Sequence, residues 1–223
     1  MSDVLLTALV SFASAGFGAL AAFRLQDAKT KREELDRRRM AVNRALFDLS
    51  QIWNTQYQYW KEAILPEKDS KAPWLHIQGN VSTQFQETRF NVDGLFFLAD
   101  TDHAQYLMRL YTEELRFRIL IGMIEERSSL VLNVLHPKME ALGIGKGTTF
   151  DLAALERALG PDLTNKLKSL TGAIIEHTRE NIQSTEELNM EFRPKMVEFF
   201  QQPRFFGLFG KKQLKVLEVT YDK

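Results

Sequence analysis

The apolar positions of the chain fall into one uncharged leading segment, followed by several long segments with helical spacing. No charged residue occurs between Val4 and Phe23, and polar residues there do not recur at the 3.6-residue interval that marks a surface helix. A helix crosses a hydrocarbon core of about 30 Å with about 20 apolar residues, since each residue adds about 1.5 Å. The pattern therefore predicts a transmembrane anchor in residues 1–24.

Two other interpretations of this leading segment stay open. A secretory signal would begin with Lys or Arg, whereas only Met-Ser-Asp precedes Val4, although Ala13-Ser14-Ala15 imitates a cleavage site. A buried core helix of a soluble protein is the other alternative. We favour the anchor, because the segment has the length of a membrane span and shows no polar face.

The residues after the span are rich in charge and determine the predicted topology. Basic residues are retained on the cytoplasmic side of a membrane. We therefore predict a single-pass protein of the inner (cell) membrane, with its amino terminus outside and its body in the cytoplasm. Contact with anionic lipid head groups contributes about 1 kcal/mol per basic residue near the surface. The basic residues concerned are Arg24, Lys29, Lys31, Arg32, Arg37, Arg38 and Arg39.

Small side chains recur every four residues along the predicted span and form two ridges. Such ridges let helix backbones approach closely, which favours association in lipid and predicts a homo-oligomer. Alanine and glycine are also common in membrane helices that do not associate, so the alternative stays open. The residues predicted to contact a second copy are Ser11, Ser14, Ala15, Gly18, Ala19 and Ala22.

Residue periodicity predicts three long and two short helices in the body of the chain. It predicts no strand, because apolar and polar residues nowhere alternate over a sustained stretch. Pro137 is expected to kink the second long helix, and Pro194 to bend or end the last one. The first long helix follows the anchor without a break. The predicted helices cover residues 27–65, 81–98, 102–142, 150–159 and 161–194, with a loop at 66–74.

The predicted fold class is all-α, with an N-terminal single transmembrane helix that continues into an elongated antiparallel cytoplasmic helical bundle. Heptad-like spacing in the long helices suits such packing. The predicted parts are an anchor (1–24), a charged juxtamembrane stalk (25–41), the bundle (42–202) and a tail rich in Phe and Lys (203–223).

Charge balance and the absence of cysteine exclude several classes of function. The chain has 29 basic and 29 acidic residues, whereas a nucleic-acid binder needs a positive excess to neutralise phosphates. We therefore expect no nucleic-acid partner. Because none of the 223 residues is cysteine, disulfides, thiolate catalysis and cysteine zinc sites are excluded.

Motifs for catalysis or cofactor binding fail in detail. The segment GIGKGTT at 143–149 resembles a phosphate loop, but Gly147 follows Lys146 where that motif needs Ser or Thr. The four histidines do not form the helical spacings of metal ligands, and no Gly-x-Ser-x-Gly elbow occurs. We predict that the protein is no enzyme and that it holds no cofactor and no metal.

Two polar residues, Glu114 and Ser128, interrupt the apolar stripe of the second long helix. A buried carboxylate needs a partner, such as an arginine or a hydroxyl from another helix. We favour a polar layer that determines helix register, and a catalytic acid is the alternative.

Two aromatic segments are candidates for contact with a ligand, a partner or the membrane. Trp53, Tyr57, Trp60 and Trp74 surround the first turn of the predicted bundle, where they suit a ligand cage, a partner-binding tip or a lid on the core. The tail suits a membrane interface, a partner groove or a cap on the bundle. Its candidate contact residues are Phe205, Phe206, Phe209, Lys211 and Lys212.

These features together favour a non-enzymatic, membrane-anchored scaffold or regulatory protein that self-associates through its spans and contacts a protein partner. The alternative is a ligand-responsive membrane sensor or effector, in which the bundle controls clustering of the spans. A membrane-tethered hydrolase would need convergent acid, base or metal groups, which the residue spacing does not show.

Overall fold

The chain folds into helices and turns throughout the part that the structure describes. In this computed structural model the described residues are 2–77, 90, 92–144 and 151–201, and for residues 2–13 the backbone alone is described. No strand occurs within these ranges. The predicted all-α class is confirmed.

The first helix, α1, runs without a break from Ser2 to Tyr59 and is followed directly by a π-helical turn, Trp60–Ile64. This confirms the predicted continuity between the leading segment and the first helix of the body. Every residue from 14 to 33 is exposed, and from residue 14 onward Val42 is the first that is fully buried. At about 1.5 Å per residue, the exposed part of α1, residues 14–33, extends about 30 Å beyond the body.

The predicted anchor lies on α1, and its side chains are described from Ser14 onward. Within that described part of the chain, no helix combines enough length with enough apolar character to cross a membrane. Val4 to Ala13, the first half of the predicted anchor, lie outside the residues whose side chains are described.

The remaining helices follow the predicted order with adjusted bounds. The predicted helix 81–98 is described only at its end, where Asp93–Leu98 forms a 3₁₀ helix, since residues 81–89 lie outside the described residues. The predicted loop 66–74 is wrong at its end, where a short helix begins at Pro73. The helices are α2 (Pro73–His76), α3 (Ala104–Leu130), α4 (His136–Ala141), α5 (Leu152–Leu159) and α6 (Pro161–Gln201), and a π turn, Val131–Leu135, joins α3 to α4.

Both π-helical turns end two residues before a proline. Trp60–Ile64 precedes Pro66, and Val131–Leu135 precedes Pro137. Proline has no N–H and crowds the carbonyl four residues earlier, and a π turn relieves this because each carbonyl bonds to the N–H five residues on. In the first turn, the N–H of Leu65 donates a hydrogen bond to the carbonyl of Trp60, five residues earlier, at 2.7 Å. The irregularity predicted at Pro137 therefore takes the form of a wider turn.

Pro194 does not end α6, so the prediction of a helix end there is wrong. Beyond this proline Met196 and Phe200 are buried, and their packing keeps the last turns helical. The junction before α6 agrees with the prediction. Gly160 has a φ of 87°, which favours glycine, and Pro161 begins the helix, where its missing N–H is not needed.

Buried apolar residues form three clusters along the bundle, named here by their distance from the exposed part of α1. The near cluster joins α1, the 3₁₀ helix, α3 and α6. The middle cluster joins the end of α1 to α3 and α6, and the far cluster joins α2, the second π turn, α5 and α6. Central members are Leu46, Leu95, Leu110 and Phe192 (near), Ile64, Ile124 and Ile174 (middle), and Trp74, Leu135, Leu155 and Leu167 (far).

The clusters show in which direction each long helix runs. Both α1, from Val42 onward, and α3 lead from the near cluster towards the middle one, whereas α6 runs from the far cluster to the near one. Thus α6 is antiparallel to the other two, but α1 and α3 are parallel, and the antiparallel prediction is wrong for this pair. The reason is the connection 65–103, which returns along the bundle from Trp74 in the far cluster to Leu95 in the near cluster.

Leu188 tests the near cluster. This residue is 0% exposed, so Leu188→Ala removes a fully buried side chain and leaves a cavity. We expect the variant to lose about 3 kcal/mol of unfolding free energy, measured by urea denaturation. Met190, two positions later on α6, is 59% exposed, and Met190→Ala should change stability by less than about 0.5 kcal/mol. Equal losses in the two variants would contradict the packing described here.

Candidate functional site

The interior of the bundle contains many polar side chains, including charged residues of α1 and α3. Burying a polar group costs free energy unless the group is hydrogen-bonded. The hydrogen-bond partners of each buried residue therefore show which helices that residue joins. The buried polar residues are Asp48, Ser50, Gln56, Glu113, Glu114, Arg127, Thr164, Thr171, Thr178, Asn181, Thr185 and Asn189.

Arg127, in the last turn of α3, is 1% exposed. Its Nε donates a hydrogen bond to Oγ1 of Thr171 on α6 at 2.8 Å, and its Nη2 donates to the backbone carbonyl of Trp74 in α2 at 3.0 Å. One guanidinium thereby ties α2 and α6 to α3. The remaining nitrogen, Nη1, is buried and has no hydrogen-bond partner among the described residues.

No acidic side chain in the described ranges neutralises Arg127, since none has a carboxylate oxygen within 4.0 Å of a nitrogen of this side chain. Burial lowers the pKa of Arg127, and the nearby phenol of Tyr59 opposes that shift. Burial also raises the pKa of Tyr59 to about 12, although the positive charge of Arg127 acts to lower this pKa. At neutral pH the arginine is charged and the tyrosine is neutral, so the bundle holds a positive charge without a counter-charge among these residues.

A second polar layer surrounds Glu113, which is 4% exposed. Its Oε2 accepts a hydrogen bond from the hydroxyl of Thr185 at 3.0 Å, and its Oε1 accepts from Ser184 and, at 3.1 Å, from Arg116. Arg116 also donates to the Ser184 hydroxyl at 2.7 Å. All of these donors lie on α3 and α6, so the layer determines the register of these two helices.

A third layer brings two carboxylates together between α1 and α3. Asp48, 2% exposed, pairs with Arg44 at 3.0 Å. Burial raises the pKa of Asp48; the charge and hydrogen bond of Arg44 oppose this shift, and the charge of Glu114 adds to it. Glu114 accepts from the backbone N–H of Phe90 at 3.1 Å and lies 3.9 Å from Arg118. The polar layer predicted at Glu114 is present, but its hydrogen-bond donor is a backbone amide, and its ion-pair partner is an arginine of its own helix.

α6 presents a threonine to the interior at every seventh residue. Seven residues are two turns of a helix, so these side chains share one face. Two of them bind the charged residues of α3, and the hydroxyl of Thr178 donates to a carbonyl of its own helix at 2.6 Å. The Thr164 hydroxyl is buried without a partner in the described part of the chain. We name this row the threonine seam: Thr164, Thr171, Thr178 and Thr185.

The predicted ridge residues lie on the exposed part of α1, except Ser11, which lies outside the residues whose side chains are described. The exposed ridge residues are Ser14, Ala15, Gly18, Ala19 and Ala22. A Cβ added at Gly18 would meet no other atom within 4 Å. Large apolar side chains of the same segment also lie open, at 78% for Phe17, 57% for Leu20, 76% for Phe23 and 72% for Leu25. The segment thus presents an apolar surface that the described bundle does not cover.

The basic residues predicted to meet lipid head groups are partly neutralised within α1. Ion pairs with acidic residues three or four positions away involve Lys29, Lys31, Arg38 and Arg39. Arg38 also lies over the ring of Phe97, 5.3 Å from its centroid. Arg24, Arg32 and Arg37 are exposed. These ion pairs weaken the attraction of the stalk for anionic lipid.

The four aromatic residues of the predicted tip do not form one cluster. Trp53 and Trp74 are each 3% exposed, and Trp74 belongs to the far cluster. Trp60 packs against the middle cluster, and Tyr57 stacks on Trp53 with the ring centroids 4.7 Å apart. This packing supports the interpretation as core residues, whereas a surface cage would have to use the half-buried Tyr57 and Trp60.

Two other candidate segments are not covered by the structure. The tail residues Phe205, Phe206, Phe209, Lys211 and Lys212 lie outside the described residues, as do residues 145–149 of the GIGKGTT segment. In the ranges that are described, no group of three or more potential ligands from His, Asp and Glu is arranged to hold a metal ion.

Sequence reasoning does not single out Glu113 or Arg127, because both stand among other charged residues. A signal for Arg127 was available, since it lies three residues after Ile124 and seven after Leu120, which places it on the buried face of α3.

The opposite face of α3 carries an exposed apolar row at the same helical spacing, with exposures between 43% and 65%. This row consists of Met108, Tyr111, Leu115 and Ile119.

Comparisons with protein-family models, with curated proteins and with solved structures give no match to this chain. Two features of the molecule itself therefore bear on its function. These are the uncovered apolar part of α1 and the buried polar layers, of which the one at Arg127 has no counter-charge among the described residues.

Asp48→Asn tests the electrostatics of the third layer. Because the folded-state pKa of Asp48 is raised above 3.8, the folded protein holds this proton more tightly than the unfolded chain does. The carboxylate therefore lowers stability at neutral pH, and this loss vanishes below the unfolded pKa. We expect the stability of the variant, relative to wild type, to be higher at about pH 7 than at about pH 4 in urea unfolding.

The control for that measurement is Asp69→Asn, at a side chain that is 85% exposed. This variant makes the same chemical change outside the core, where an exposed ion pair contributes little to stability. An advantage of Asp48→Asn that grows as the pH falls would contradict the raised pKa.

Proposed function

We propose that this chain is a single-pass membrane protein whose helical bundle serves as a scaffold or regulatory element and not as an enzyme. The observation that supports it most is the exposed part of α1. That segment is helical, extends beyond the body and presents large apolar side chains that no described part of the chain covers.

A helix of this kind is unfavourable alone in water. Removing apolar surface from water stabilises by about 25 cal/mol per Å², and helices without tertiary packing are marginal in water. Phe17 and Phe23 therefore call for lipid or for neighbouring helices as their surroundings. The basic residues that follow favour lipid and an orientation with the body in the cytoplasm, at the inner membrane.

The continuity of α1 offers a physical link between the membrane and the bundle. The same helix that carries the predicted span supplies Val42 and Leu46 to the near cluster. No turn or break separates the two parts, so a tilt or rotation of the span moves residues of the core. This coupling suits a protein that regulates or organises partners at the membrane.

Self-association of the spans is part of the proposal. The exposed ridge residues are small, so two such helices can approach closely. Within the bundle, the buried carboxylates of Asp48, Glu113 and Glu114 are each paired with an arginine. This pairing suits polar layers that orient helices and argues against a free catalytic acid.

A second candidate function is that of a ligand-responsive membrane sensor or effector. The observation that favours it is Arg127, a buried charge without a counter-charge among the described residues. A ligand that supplied the counter-charge would change the stability of the far part of the bundle.

Membrane fractionation tests the anchor. We expect the full-length chain to sediment with membranes, to resist extraction by alkaline carbonate and to dissolve only in detergent, because its span is embedded in lipid. A chain lacking residues 2–23 should instead be recovered in the soluble fraction. Recovery of the intact full-length chain without detergent would overturn the proposal.

Crosslinking in membranes tests the ridges. Ala15→Leu combined with Gly18→Leu should lower the yield of crosslinked oligomer at least about tenfold, because bulky side chains keep the helices apart. The space around Gly18 is open within one chain, so the change does not disturb the monomer. Ala21→Leu, on the same helix but off the ridges, is the matched control. Equal loss in the control variant would contradict the assigned contact face.

A further inference from the structure

We propose that the far part of the bundle binds one small oxyanion, a phosphate or carboxylate group, at the guanidinium of Arg127. This side chain lies at the end of α3 that is away from the exposed part of α1.

Arg127 differs from the other buried charged residues in the charge of its partners. Asp48, Glu113 and Glu114 each have an oppositely charged partner within 4.0 Å. Arg127 is buried at least as deeply, but in the described ranges its partners are a hydroxyl and a backbone carbonyl, both neutral. Taking a charge out of water without a counter-charge costs several kcal/mol. An anion bound at this position would remove most of that cost.

The guanidinium of Arg127 is held on two sides, by Thr171 at 2.8 Å from Nε and by the carbonyl of Trp74 at 3.0 Å from Nη2. These contacts orient it and leave the two N–H groups of Nη1 without an acceptor among the described residues. Paired N–H groups of arginine match the oxygens of carboxylates and phosphates.

The neighbouring helix α6 carries a second buried polar group without a partner among the described residues. Thr164 lies on the same face of α6 as Thr171, two turns nearer to the start of the helix, and its hydroxyl is also buried without a partner in the described part of the chain. A hydroxyl and a guanidinium are typical donors of an oxyanion site. An anion at Nη1 would be held by the same guanidinium that already contacts α2 and α6.

Equilibrium dialysis of the purified full-length chain tests the site, with radiolabelled inorganic phosphate in one arm and radiolabelled acetate in the other. We expect saturable binding of one anion per chain in at least one arm, and the arm that saturates identifies phosphate or carboxylate chemistry. Arg127→Met should lower the affinity at least about tenfold, because it removes the charge and the free N–H groups. Chloride at equal ionic strength is present in every measurement.

The matched control is Arg118→Met, which makes the same change on the same helix at a side chain that is 53% exposed. It should bind the anion as the wild type does. If Arg127→Met does not fold, judged by circular dichroism, Thr171→Val serves in its place. That variant keeps the charge but removes the hydroxyl that orients it, and we expect weaker binding by about tenfold.

Two results would overturn the proposal. One is the absence of saturable binding of either anion up to about 10 mM. The other is undiminished binding in the folded Arg127→Met variant, or in Thr171→Val if that variant has to replace it, which would place the anion elsewhere on the protein.

Discussion

The bundle depends on the contact between α3 and α6, where charged groups of one helix meet hydroxyls of the other. Glu113 binds Thr185 and Ser184, and Arg127 binds Thr171, so both polar layers use the same face of α6. Between them Leu120 of α3 and Ile174 of α6 are buried. An apolar interface alone tolerates sliding by a turn, whereas displaced polar groups would lose their partners at a cost of about 1–3 kcal/mol each. The polar layers therefore determine one register.

The long connection between α1 and α3 completes this arrangement. It returns along the bundle, places the Trp74 carbonyl beside Arg127 and brings the N–H of Phe90 to Glu114. The two helices are parallel for this reason, and both contact the antiparallel α6. The connection thus supplies hydrogen-bond donors and acceptors that the long helices do not supply themselves.

The two ends of the molecule each hold side chains in an unfavourable environment, apolar side chains exposed at one end and a charge buried at the other. At one end, α1 carries exposed phenylalanine and leucine side chains that call for an apolar environment. At the other end, Arg127 carries a buried charge that calls for an anion. The proposed membrane anchor would bury the exposed apolar side chains, and the proposed oxyanion would neutralise the buried charge. The helix α1 runs without a break from its exposed part into the near cluster.

Local patterns in the sequence determined which segments are helical. The uninterrupted run through α1, the glycine–proline junction at Gly160 and Pro161, and the apolar stripe with Leu110, Phe117 and Ile124 all depend on contacts within a few residues, and the structure agrees with each. Periodicity also placed Glu114 on the buried face, because a side chain's face follows from its spacing alone.

Tertiary structure decided which partners the buried polar residues have and which large apolar residues stay exposed. Arg127 and Glu113 are inside because α6 brings hydroxyls to them, and Leu115 and Ile119 are outside because no described element covers their face of α3. The parallel course of α1 and α3 goes with a connection that contributes Trp74 to the far cluster and Leu95 to the near cluster. These outcomes rest on residues far apart in the chain, and periodicity reports only neighbours on one helix, so the sequence by itself determined the helices and not their arrangement.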